Sequence, residues 1–358
     1  MPGVHIPKAK MRSRARHAGF CGGAWSRRAG VVALVLAVAD CGCGTTPTPP
    51  VSVATAAAVA PPFPSGGIAV SAPRALPASI SFVSLEGPFW VAAGGYLIFS
   101  DVVEENGAAA KIYRYDPGTG AMSIVPYPQV PTSTNGLAVD AQGRLVACER
   151  WNGALVRVAG GERAVLADRS PGGPGVGRPL NAPNDLTLRA DGNIYFTDTK
   201  WGARPGDHAP TAVYRLAPDG VLSVAFSVDM PNGVLLAPDG GTLYVGSDAQ
   251  DRLWRLPVAP DGTVGPAAPF VDSHQVPGGR LHVPDGLCVD DRGRVYVANN
   301  SDDVSAIEVF ESDGRFAGRI AIPAPPSNCT FGGADRRTLY VTTLHAVYEV
   351  RVETPGLP

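Results

Sequence analysis

The stretch Asn184-Asp-Leu-Thr-Leu-Arg-Ala-Asp191-Gly-Asn-Ile-Tyr-Phe-Thr-Asp198 decides the fold. It holds two short apolar runs, each too brief for a helix, hinged at Asp191-Gly192. An Asp-Gly pair supplies the positive φ that a tight hairpin needs. The same unit recurs through the chain. Glu86-Gly-Pro-Phe-Trp90 leads to Tyr96-Leu-Ile-Phe-Ser-Asp101, and Asn135-Gly-Leu-Ala-Val-Asp140 leads to Gly143-Arg-Leu-Val-Ala-Cys148. Asn232-Gly-Val-Leu-Leu236 leads to Asp239-Gly-Gly-Thr-Leu-Tyr-Val245, and Asp285-Gly-Leu-Cys-Val-Asp290 leads to Gly293-Arg-Val-Tyr-Val297. Asn328-Cys-Thr-Phe-Gly332 precedes Thr338-Leu-Tyr-Val341.

The starts at 86, 135, 184, 232, 285 and 328 recur about every 48 residues. A strand-type repeat of that length is a propeller blade. Further strand material lies between units, at 111–115, 212–216, 253–257 and 307–311, so each blade holds four strands. No stretch shows a sustained helical period with caps. The pattern predicts an all-β fold, a six-bladed β-propeller with four-stranded blades over residues 67–354 and a tail at 355–358. An open array would expose its edges, so the ring is expected to close with N- and C-terminal strands, Ser79–Val83 and Ala346–Val352.

The repeat reorganises the composition. A length of 358 residues divides into two domains of ordinary size, yet six blades account for residues 67–354 as one ring. Residues 1–44 hold seven Lys or Arg and one Asp, leaving 23 basic and 31 acidic side chains elsewhere, so a net charge of −2 covers a body at −8. That balance excludes a general nucleic-acid binder. The basic stretch precedes a short apolar run from Val31, too short to cross a bilayer, and together they read as a signal peptide. Ser26-Arg27-Arg28 has a twin-Arg character. Cys41 follows the apolar run in the order of a lipoprotein leader, with Asp40 where a small residue is usual. Residues 45–66 (TTPTPPVSVATAAAVAPPFPSG) form a low-complexity tether. The expectation is export to the periplasm or cell envelope, with Cys41 as a lipidation site and membrane tethering through it, or secretion. Cys148, Cys288 and Cys329 are odd in number and widely spaced, which predicts buried free thiols rather than a disulfide framework.

In a propeller the innermost strands line the central channel. Glu86, Asn135, Asn184, Asn232, Asp285 and Asn328 would then converge on one mouth. All are oxygen donors, with no His or Cys among them. Hard cations take oxygen ligands, Ca²⁺ six to eight of them, and Zn²⁺ prefers N and S. Any single Asn-Gly or Asp-Gly also serves as a turn former, so the argument rests on the whole set at one phase. Asn135 and Asn328 are the members best explained by structure alone. The chain has no Gly-x-Ser-x-Gly and no His-Glu-x-x-His, and Gly172–Gly177 lacks the Lys-Ser/Thr of a phosphate loop. His282 lies three residues before Asp285 but reads as a surface histidine.

At Glu86-Gly-Pro-Phe-Trp, Asn181-Ala-Pro-Asn-Asp-Leu, Ile194-Tyr-Phe-Thr-Asp-Thr-Lys-Trp-Gly202, Pro231-Asn-Gly, Pro284-Asp-Gly-Leu and Asn328-Cys-Thr-Phe-Gly-Gly, the chain resembles the gluconolactonase/regucalcin (senescence marker protein) family of six-bladed calcium-dependent lactonases. The resemblance implies a site for one divalent cation on Glu86, Asn184, Asn232 and Asp285, most readily Ca²⁺, with Mg²⁺, Mn²⁺ or Zn²⁺ as alternatives. It implies Asp285 as the general base and a substrate contact at Asn184; because a carboxylate bound to a cation is a weak base, Glu149 and Asp198 are the alternatives for that role. Bacterial gluconolactonases often carry a His after the Cys-Glu of the second repeat, where this chain has Arg150. Paraoxonase-like members use a second-blade His where this chain has Asn135. Asn135, Glu149, Arg150, Arg178 and Trp201 complete the expected substrate-binding set. The expected activity is hydrolysis of a small-molecule sugar lactone or ester. The alternatives are a non-catalytic binding or scaffold propeller at the envelope, and a strictosidine-type synthase, which would not need the acidic set.

Overall fold

The structure is a computed structural model that describes residues 67–102, 111–128, 133–172, 175–272, 276–277, 281, 284–301 and 304–358. The leader at 1–44, the tether at 45–66, Cys41 and His282 lie outside the described residues. The described strands form six antiparallel four-stranded sheets. Their innermost strands are Leu85–Val91, Thr134–Val139, Ala182–Leu188, Pro231–Leu236, Pro284–Val289 and Pro326–Gly332. Each inner strand packs against the next, and that of the sixth blade packs against that of the first. The predicted six-bladed propeller is therefore the observed fold.

Closure differs in detail from the expectation. The sixth blade is completed by Arg74–Ala75, which pairs with Val347–Arg351, and Ala69 bridges Val352 beyond it. The chain must then cross from the outer edge of the sixth blade to the innermost strand of the first. Ser79–Val83 lies in that crossing and forms no strand. Phe82 packs edge-on to Phe99 and Tyr113, and the Val83 and Ser84 amides donate to Asp101 Oδ1 at 2.9 and 3.1 Å.

Apolar faces of neighbouring blades interleave. Ile98, Ile112, Leu137 and Val156 share one cluster across blades one and two. Tyr195, Val213, Val234 and Leu243 share another across blades three and four. Burying each such side chain contributes about 1.5–3 kcal/mol, so the ring holds together through six sandwiched interfaces. Every inner strand carries a register shift at its polar start, after or across it in the first five blades and just before Asn328 in the sixth. Gly87 shows why glycine follows the first start. It sits at φ +52°, and a Cβ there would strike the Asn135 carbonyl of the next blade. Gly233 meets the Asp285 carbonyl in the same way.

One expectation is corrected. Cys288 and Cys329 are joined in a disulfide, with their Cα atoms 5.8 Å apart. Spacing along the chain hides this, because the residues lie on adjacent inner strands whose bulges bring position three after Asp285 beside position one after Asn328. Cys148 remains a buried free thiol. The tail at residues 355–358 packs back onto the ring. Asp291 N donates to the Pro355 carbonyl at 2.8 Å, Gly356 N to Arg336 O at 2.9 Å, and Leu357 N to Val289 O at 2.9 Å.

Candidate functional site

Glu86, Asn135, Asn184, Asn232, Asp285 and Asn328 each open an inner strand and are each less than one-tenth exposed. The repeat phase thus brings six oxygen-bearing side chains to the same end of the channel. Below them runs a cavity of about 630 Å³ lined by Gly87, Asp185, Leu186, Val234, Leu287 and Asn328, with Leu357 and Pro358 at its far end.

A second buried polar position supports the first. Asp101, Glu149, Asp198, Ser247, Asn299 and Thr343 lie at the end of the second strand of their blade or within two residues of it, and all are buried. Each pairs with the residue just before a channel-mouth residue, or with the nearest paired position in the sixth blade. Asp198 shows the function of this position. Its carboxylate accepts from Asn181 N, Asn181 Nδ2 and Ala182 N at 3.0, 2.9 and 2.8 Å, fixing the approach to Asn184. Glu149 is likewise engaged within its own blade. It accepts from Tyr127 Oη at 2.6 Å, Asn152 Nδ2 at 2.8 Å and Arg163 Nε at 2.8 Å. The carboxylates of Glu149 and Asp198 are thus both engaged by donors of the scaffold.

The next residue along, one step beyond this position, reaches the mouth. Asn300 Nδ2 donates to Asp285 Oδ2 at 2.9 Å. Asp248 accepts Asn232 Nδ2 at 3.3 and 3.2 Å through its two oxygens, and Trp201 Nε1 at 2.7 Å. Arg150 Nε donates to the Trp201 carbonyl at 3.1 Å, and the Arg150 charge lowers the pKa of Glu86. Arg150 and Trp201 therefore stand together at the mouth, Trp201 half-exposed. Arg178 does not join them; it forms an ion pair at 2.9 Å with Asp207 on an exposed loop. Asn328 is committed to structure. Its Oδ1 accepts Cys329 N at 2.7 Å, and its side chain bonds both Glu86 and Asp185.

The mouth is crowded with carboxylates. Burial first, then the charge of Asp185, raises Glu86 to about 7. Burial, then Glu86 and Asp248, raises Asp285 well above the ordinary range. Burial also raises Asp185 and Asp248 to about 6 each. Mutual repulsion of this kind between carboxylates is relieved by a bound cation.

The donor set fits a hard cation. Asn232 Oδ1 and Asn135 Oδ1 are buried and have no hydrogen-bond partner among the described residues, a cost of about 1–3 kcal/mol for each if left unmade. Two carboxylates and neutral amide oxygens match oxygen-only coordination. Among the described residues no group of three or more His, Cys, Asp or Glu forms a metal cluster, so any cation here depends on the asparagine oxygens. Asp185, Asp248 and Asn300 were missed by sequence reasoning. Their signal was present in Asp248 and Asn300, each a polar residue directly after the second strand's buried polar end.

Fold and site together define a class, a six-bladed propeller that gathers carboxylate and amide oxygens at one channel mouth. The chain belongs to the family described as the SMP-30/Gluconolactonase/LRE-like region, which matches residues 85–345. It is 28% identical to a gluconolactonase of Zymomonas mobilis over 291 residues, 76% of this chain and 79% of that protein. A solved gluconolactonase of Xanthomonas campestris is 32% identical, with a TM-score of 0.68, covering 80% of this chain and 92% of that one. Regucalcin of Agrobacterium tumefaciens, a calcium-binding protein, shares the fold at 21% identity and a TM-score of 0.63, over 80% of this chain and 97% of that one.

Proposed function

We propose that the chain is an exported, divalent-metal-dependent hydrolase of sugar lactones. The observation that carries this reading is the buried Asn232 Oδ1, without a partner among the described residues, beside Glu86 and Asp285 at the channel mouth. The relatives named gluconolactonase supply the substrate class. Glu86, Asn184, Asn232 and Asp285 would hold the cation, and the all-oxygen set favours Ca²⁺ over Zn²⁺. When bound, the cation polarises the ester carbonyl and stabilises the charge that develops on its oxygen.

The chain's own residues do the rest. Asp285, oriented by Asn300, takes a proton from the attacking water as the new C–O bond forms. The ring C–O bond breaks, and the departing alkoxide recovers a proton, giving the open hydroxy acid. Asn135 and Asn184 lie beside that centre to bind substrate oxygens. Arg150 and Trp201 shape the wall of the mouth. The leucine and valine side chains of the cavity below give the site an apolar floor.

The Cys288–Cys329 disulfide supports an oxidising compartment and agrees with the leader in residues 1–44. Turnover of a panel of aldonolactones by the purified protein tests the reading. Wild type is expected to hydrolyse at least one of them, and Glu86→Gln and Asp285→Asn are expected to lose more than about 100-fold in kcat/KM, the scale of a lost electrostatic partner. A panel left wholly untouched would return the chain to the binding-propeller class.

A further inference from the structure

We infer that Asp248 is a positioning residue that fixes which end of the Asn232 amide faces the cation, and that it ties this choice to the loop carrying Trp201. The inference rests on the proposed metal site. An asparagine side chain is nearly symmetric in shape, with an acceptor oxygen at one end and a donor nitrogen at the other. Only the oxygen can bind a cation. Something must therefore hold the nitrogen away from the ring.

Asp248 is placed to do so. A carboxylate only accepts, and both of its oxygens face Asn232 Nδ2, at 3.3 and 3.2 Å. The amide nitrogen is thereby engaged, while Oδ1 is left buried and without a partner among the described residues. The backbone reinforces the arrangement. Asp248 N donates to Met230 O at 3.0 Å, and Met230 stands two residues before Asn232 at φ +46°. Ser247, just before Asp248, pairs with Pro231, just before Asn232. Asp248 also opens the short 3-10 turn Asp248–Gln250. The carboxylate and the amide are held from both sides.

The same carboxylate accepts Trp201 Nε1 at 2.7 Å. Trp201 comes from the third blade, and its carbonyl is held by Arg150 Nε at 3.1 Å. One carboxylate thus joins a ligand residue on the fourth blade to a half-exposed indole on the third. Cation binding that pulls on Asn232 is transmitted to the indole at the mouth, and the reverse.

Calorimetric titration of the chelator-stripped full chain with Ca²⁺ tests this. In Asp248→Asn a single oxygen remains for two donors, and the new amide nitrogen attracts Asn232 Oδ1, turning it from the ring. The Ca²⁺ Kd is expected to rise 10- to 100-fold, the range for a lost outer-shell partner, with the melting midpoint of the cation-free protein little changed. Trp201→Phe keeps the ring and removes the donor. It should fold in any case, because Trp201 is half-exposed, and its Kd should rise a few-fold. The double variant should bind no more weakly than Asp248→Asn alone, because the two changes remove one linked network. The Trp201 part of the fluorescence, taken as wild type minus Trp201→Phe, should respond to Ca²⁺ in wild type. Wild-type Kd in both single variants would overturn the inference and leave the metal site standing. A wild-type protein that binds no divalent cation would overturn the metal site and the inference together.

Discussion

Reducing the Cys288–Cys329 disulfide should cost the ring a definite amount of stability. The bond closes a loop with a sequence separation of 41 residues. In the chain-entropy account, a loop of that size restrains the unfolded chain by about 4 kcal/mol. A ring of this size has an unfolding entropy of roughly 0.6 kcal/mol per degree, at about 2.1 cal/mol/K per residue. The midpoint should therefore fall by about 7 °C. The assay compares oxidised protein with protein folded under reductant, so the sequence and core side chains are identical. The bond lies between the inner strands that carry Asp285 and Asn328, so the fifth and sixth blades should loosen first. Peptide mapping that finds no cross-linked 288–329 pair in oxidised protein would refute the reasoning, as would equal midpoints for the two forms.

Glu149→Ala should destabilise by about 2–3 kcal/mol, because it removes the buried carboxylate that Tyr127, Asn152 and Arg163 donate to, and the residual folded enzyme should keep its kcat; a large kcat loss with intact stability would mark Glu149 as part of the reaction. In chelator, the melting midpoint should fall as pH rises from about 5 to 8. Glu86 at about 7 and Asp185, Asp198 and Asp248 at about 6 are raised above their unfolded values, so the folded state binds more protons, and its advantage is lost as pH passes these values. Saturating Ca²⁺ should flatten or reverse that slope, and a midpoint rising with pH in chelator would contradict the account. Gly233→Ala should lower the midpoint by several degrees by forcing a Cβ against the Asp285 carbonyl, read by thermal melting.

The fold was legible because each blade begins with the same short polar signal and a hairpin follows it. The phase of that signal also placed Glu86, Asn184, Asn232 and Asp285 at one mouth. What lay hidden depends on contacts between strands rather than along them. The bulge at each polar start, which falls after Asp285 in the fifth blade but before Asn328 in the sixth, shifts the register and so sets which residues of neighbouring blades touch; that is why Cys288 meets Cys329. Glu149 reads as a reactive acid in sequence because Tyr127 and Arg163, which occupy it, are 22 and 14 residues away. Arg74–Ala75 is two residues long, too short to show an alternation, and only the open edge of the sixth blade makes it a strand. Asp248 carries its meaning in two partners from different blades, Asn232 and Trp201, which no spacing reveals.

The most direct test of the central claim is the rate of aldonolactone hydrolysis by the purified protein across a series of buffered free Ca²⁺ concentrations. The account predicts that the rate falls to the uncatalysed level in excess chelator and returns along a saturable curve when Ca²⁺ is restored. Undiminished turnover with the cation removed would contradict it.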